Sequence, residues 1–311
     1  MSIVAFIMGA SVLIGGAQAS PSQIEVAQAD AQSDQATQVD DVFVDGRSIQ
    51  DQAWAFAGEV AAPVAQRGLA RWRGSVCIGV VNISNQIGQA LVDHISRQAM
   101  EVGLPVGEPG CAPNIIVTFT DDADGLAAGL VERSGRALHS GIGGMDRGKR
   151  ALADFQTSDR PVRWWHVSMP VVGATGERAI RMPGDSGPIF VPGEGLVNAG
   201  RPIADVLNKA IIIVDVNRLE GATLPQLGDY IALVSLLQVD PDGDTRGFQT
   251  ILNLFDNPST VSGLTGWDRA YLSSLYDAYP ERIDRLDQAA AMARSMIRAE
   301  REDRRKADLE P

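Results

Sequence analysis

Apolar positions in this chain recur at two periods, and each switch between them marks an element. Ile49, Trp54, Phe56 and Val60 give a helical pattern over Ser48 to Val64. A strand follows from Ser75 to Ile83, then an amphipathic helix over 85–102 with Ile87, Leu91, Ile95 and Ala99 on one stripe. Gly103 ends that helix, and the spacing puts His94 near its surface. Asn114 to Thr120 (NIIVTFT) reads as a buried strand, and Asp122 to Arg133 as a helix. The glycine-rich stretch from Gly135 to Ser158 reads as a surface excursion, Val162 to Val172 as a strand, and Gly173 to Gly200 as a long loop. Ile203 to Val206 begins a short turn or helix, and Lys209 to Val216 (KAIIIVDV) is a strand buried on both faces. Strand and helix alternate, so the fold class is α/β, a mixed sheet packed against helices.

The densest apolar segment is 223–239. Thr223-Leu-Pro-Gln226 fits a capping box, and Pro225 sits where first-turn N–H groups need no helical partner. Leu224, Leu227, Ile231 and Val234 then recur at helical spacing, while Tyr230, Leu233, Leu236 and Leu237 fill the other sides. A helix apolar nearly all round belongs inside a domain. A loop, the apolar turn TILNLF and a second helix, LTGWDRAYLSSLY, complete the stretch to Tyr276. The last helix spans 281–306, with Ile283, Leu286, Ala290, Ala293 and Ile297 on one stripe and a mixed-charge end. One domain over 45–280, with 281–311 as a C-terminal helix and tail, is the simplest division.

Composition narrows the function. The 311-residue chain carries a formal net charge of −12, which argues against binding a phosphate backbone. Residues 3–16 are apolar and Ala17-Gln18-Ala19 is an A-x-A pattern, so 1–19 reads as a secretory signal peptide and 20–44 as a disordered linker. A short N-terminal membrane anchor is the alternative. After cleavage no membrane span is expected, and the protein is periplasmic or extracellular. An oxidising compartment lets the only two cysteines, Cys77 and Cys111, pair. Such a bridge is worth roughly 3–4 kcal/mol on the chain-entropy model.

Individual motifs are weak. Gly184-Asp185-Ser186-Gly187-Pro188 is one glycine short of a serine-protease nucleophile turn, and an ordinary loop is the simpler reading. Asp240-Pro-Asp242-Gly-Asp244 opens like a calcium loop, but Thr245 and Ile251 stand at its sixth and twelfth positions, so a solvated turn is preferred. The histidines, His94, His139 and His166, show no i, i+4 pair. His166 reads as a packed or surface residue on a strand, or as a pocket residue near Asp229.

The order of elements over Thr223 to Tyr276 resembles the second half of a zincin-like domain of the metzincin type, in a group of uncharacterised exported bacterial proteins that keep the frame without its ligands. In that frame an HExxH helix is followed by a turn beneath the metal and a helix of the form LxxxDxxxLxxLY. The resemblance implies that Asp229 stands at the first ligand position, Tyr230 at the glutamate position and Leu233 at the second ligand position. The third ligand position falls near Val239 or Asp240. HExxH is absent. Asp268 matches the second helix's pattern as a structural residue, and with His166 it is a candidate for the cleft. The implied protein holds no metal and no cofactor and is not a peptidase. It binds a peptide or an envelope partner, or serves as a structural protein. The alternative is a hydrolase with atypical metal ligands around Asp229 and His166. The C-terminal helix is a third candidate, as a docking element.

Overall fold

Dense apolar runs become strands, and helices cover both faces of the sheet they build. The structure, a computed structural model, describes residues 48–63, 68–138, 146–172, 175–179, 190–191, 195–196, 203–219, 221–277 and 285–307. They fall in one compact unit, Gly46–Pro311. Helix α1 (Ile49–Val60) leads into strand β1 (Ile78–Val81), helix α2 (Asn85–Glu101), strand β2 (Ile115–Thr120) and helix α3 (Ala123–Leu138). Helix α4 (Gly148–Thr157) precedes the long strand β3 (Val162–Val172). Strands β4 (Phe190–Val191) and β5 (Gly195–Leu196) form a small antiparallel pair. Strand β6 (Ile203–Asp215) feeds helices α5 (Leu224–Leu236), α6 (Gly266–Asp277) and α7 (Arg285–Ala307).

The main sheet has the order β1-β2-β6-β3. β1, β2 and β6 run parallel, and β3 is the antiparallel edge. This is the α/β fold that the strand–helix alternation predicts. β6 is buried on both faces, as its continuous apolar run requires. Ile212 and Val214 join the larger core with α1, α2, α5, α6 and α7, while Ile211 and Ile213 join a smaller one under α3 and α4. Trp164 and Trp165 of β3 divide the same way. Met292, Ala293 and Met296 place α7 in the larger core.

Four elements differ from the sequence reading. Only Ile78–Val81 of the first strand pairs with β2, because Asn82 takes a left-handed φ of 62° and turns the chain. α3 continues to Leu138 across a break at Ser134. α4 lies inside the expected glycine-rich excursion, where only Leu152 and Phe155 are buried and no side chain caps its start. β6 is one strand from Ile203 onward, because its first half pairs with β3, with a shift in register between Val167 and Ser168. Among the described residues no helix is long and apolar enough to cross a membrane. The signal peptide (1–19), the linker (20–44), His139 and the Gly184–Pro188 turn lie outside the described residues.

Cys77 and Cys111 form the disulfide, with Cα atoms 6.1 Å apart. It ties the start of β1 to the loop before β2 and closes a sequence separation of 34 residues.

Candidate functional site

Helix α5 is capped at its start by its own residues and held at its other end by side chains from elsewhere. At its start Thr223 Oγ1 accepts from the Gln226 amide, and the Thr223 amide donates to Gln226 Oε1 at 2.8 Å. Gln226 Nε2 goes on to donate to the carbonyl of Pro258 at 2.8 Å, so the cap also fixes the loop before α6. At the other end the last carbonyls of a helix lack intrahelical donors. Here His166 Nε2 donates to Val234 O (2.8 Å), Trp72 Nε1 to Ser235 O (2.9 Å) and Tyr276 Oη to Leu236 O (2.8 Å). Trp164 Nε1 donates to Val239 O just beyond, at 3.0 Å. None of these partners is local in sequence.

Asp229, at the first of the four aligned positions, faces α2. Its Oδ1 lies 2.6 Å from His94 Nε2, and its Oδ2 accepts from the Leu264 amide at 3.0 Å. His94 is therefore half-buried against α5 instead of standing at the surface. Two glycines make the approach possible. A Cβ at residue 228 would sit 2.9 Å from the His94 ring, and one at Gly263 would collide with Asp229 Oδ2. The sequence signal that could have found this contact was Gly228, a helix-weakening residue inside an otherwise strong helix.

Tyr230 points the other way, into the core. Its ring meets Trp164 at 6.1 Å and Phe255 at 5.0 Å between centroids, both edge to face. Burial pushes its phenol pKa far above the ordinary value. Leu233 is 1% exposed. Asp240 accepts from Arg147 at 3.0 Å, and Val239 is buried. The four positions thus point to separate surroundings: Asp229 to α2, Tyr230 to an aromatic cluster, Leu233 to the core and Asp240 to an arginine. Among the described residues no three His, Cys, Asp or Glu side chains gather in a metal-holding group.

Asp268 does not line the cleft. It is fully buried and accepts from Thr250 Oγ1 (2.5 Å), the Ile251 amide (2.8 Å), the Thr265 amide (2.9 Å) and Thr265 Oγ1 (2.9 Å). It locks the 3₁₀ turn Ile251–Asn253 to the start of α6. Burial raises its pKa, and the four hydrogen bonds oppose that rise. The acidic turn after α5 does not converge either. Asp240 pairs with Arg147, Asp242 with Arg160 and Asp244 with Arg246.

His166 does line a cleft, beside the C-terminal end of α5. Its walls come from α4, β3 and the segment following α5, and include Arg147, Arg160, Arg163, Trp164 and Asp242. His166 meets Val234, not Asp229; the histidine at Asp229 is His94. Because a carbonyl only accepts, His166 Nε2 carries the proton and Nδ1 is left as an acceptor. Burial, with Arg147 adding to it, lowers the His166 pKa to about 4, so the ring is neutral at neutral pH.

Compared with known proteins, the chain matches no family model, no curated protein and no solved structure.

Proposed function

We propose that this is an exported, non-catalytic binding protein of the cell envelope, built on a zincin-like frame whose metal site has been replaced by packing. The observation that carries this reading is the aromatic contact of Tyr230 with Trp164 and Phe255. In the zincin frame this position holds the glutamate that takes a proton from metal-bound water. A phenol whose pKa burial drives upward donates a hydrogen bond and does not accept that proton. The second ligand position, Leu233, has no metal-binding atom. An antiparallel edge strand beside a buried central helix also supports the frame. Export is supported by the Cys77–Cys111 disulfide, since such bridges persist in oxidising compartments. The cleft along β3 is where a peptide or envelope partner binds.

A peptide mixture incubated with the purified chain and added zinc, read by mass spectrometry, tests the reading. The expected result is no chelator-sensitive cleavage. Cleavage that a chelator stops, and that Asp229→Ala also removes, would overturn it in favour of a hydrolase with atypical ligands.

A further inference from the structure

The chain carries a net charge of −12, yet three guanidiniums, from Arg147, Arg160 and Arg163, share the walls of the one cleft described above. We propose that this cleft holds the carboxylate of a ligand with a short apolar stem, with Arg160 and Arg163 as its donors. This rests on the binding-protein reading and names the ligand chemistry of the same cleft.

Arg163 is 3% exposed. Its terminal nitrogens are used: one donates to the Gln156 carbonyl at 3.0 Å, the other to Asp124 Oδ1 at 2.8 Å. Its Nε finds no acceptor among the described residues. A buried donor left in that state is costly, and a ligand oxygen admitted by a small shift of the wall would relieve it. Arg160 supplies a second donor by exchange. It holds Asp242 Oδ1 at 2.8 Å, but the Asp242 side chain is 63% exposed. Ion pairs so open to water contribute little, so a ligand carboxylate can take Asp242's place. Arginine suits this role because its guanidinium stays charged and makes strong charge-assisted hydrogen bonds to a carboxylate.

Charge selects the ligand class. Asp154 and Asp242 also line the cleft, while Asp240 already pairs with Arg147 and Asp124 with Arg163, so the one positive charge open to a ligand is that of Arg160 once it lets go of Asp242. That matches a monoanion. A phosphate group, near two negative charges at neutral pH, would face two nearby carboxylates. Neutral His166 adds no charge and offers Nδ1 as an acceptor. Trp164, Trp165 and Phe155 supply apolar wall for the stem.

The probes are isovalerate and the tripeptide Ala-Ala-Leu, each as free acid and as amide, titrated against the full chain by calorimetry. Inorganic phosphate is the third arm. The acids should bind, and the amides should bind at least about tenfold more weakly, the loss expected for a charge-assisted contact. Phosphate should bind more weakly than either acid. Arg160→Gln should remove the preference for acid over amide, and Asp242→Asn should tighten acid binding by removing the competitor. A circular dichroism spectrum unchanged in Arg160→Gln separates lost recognition from lost fold. Amides binding as tightly as acids, phosphate binding more tightly than both, an Arg160→Gln variant that keeps the preference, or no binding of any probe would each overturn the proposal. None of these outcomes touches the metal-free reading, which zinc-dependent cleavage decides.

Discussion

The middle and the C-terminal end of α5 are built on opposite plans. Around Asp229 and Tyr230 the described side chains meet in close contact. His94 closes on Asp229 over Gly228, and Tyr230 is wedged between Trp164 and Phe255. Around Val234 to Val239 the backbone is satisfied by long-range side-chain donors, and a charged cleft stays open beside it. The difference teaches where function can reside. The first gives stability through close packing. The second gives stability through capping and keeps groups that can exchange partners.

Substitutions should separate the two plans. The largest effect belongs to the packed middle. Tyr230→Glu would bury a carboxyl between two aromatic rings with no partner, costing on the order of 4 kcal/mol or more in urea unfolding. A cost below about 1 kcal/mol would show that this stretch can accommodate a carboxyl after all, and would break the comparison.

The next effect is in pH. His166 has its folded pKa lowered to about 4, below the usual 6.5 of the unfolded chain. Above pH 6.5 the ring is neutral in both states and the group is silent. As pH falls through 6.5 the unfolded chain takes up the proton first, so stability drops. The loss levels near pH 4, where the folded ring also protonates, and it amounts to about 3 kcal/mol. His166→Gln keeps a donor for the Val234 carbonyl and should flatten this part of a stability–pH profile. An unchanged slope would show that other groups set it.

Smaller again is Asp229→Ala, which leaves the Leu264 amide and His94 without their acceptor. A cost of about 1–3 kcal/mol is expected from thermal or urea unfolding. The smallest is Arg160→Gln at the open cleft, an exposed pair whose loss should cost less than about 1 kcal/mol. If it cost as much as Asp229→Ala, the cleft arginines would be structural and the contrast between the middle and the C-terminal end would weaken.

What the sequence carried was local. Thr223 and Gln226 form the capping box that their spacing predicts, and the apolar run of β6 is buried on both faces. What it hid was of two kinds. α4 has no cap and only two buried side chains, so glycines around it outweighed a faint period. β6 begins at Ile203 because β3 is there to pair with it, a fact about tertiary context and not about residues 203–206. The site was hidden for the second reason. His94 and Asp229 stand 135 residues apart, His166 and Val234 68 apart, and no period or motif links them. The resemblance singled out Asp229, Tyr230, Leu233 and Asp240 as positions to inspect, but it could not say which way each side chain turns.

The central proposal is that packing has replaced a metal site in the middle of α5. Its most direct test is the zinc stoichiometry of the full chain after equilibrium dialysis at neutral pH, with Asp229→Ala beside it. The account predicts no stoichiometric zinc in either protein. One zinc per chain, lost in Asp229→Ala, would contradict it.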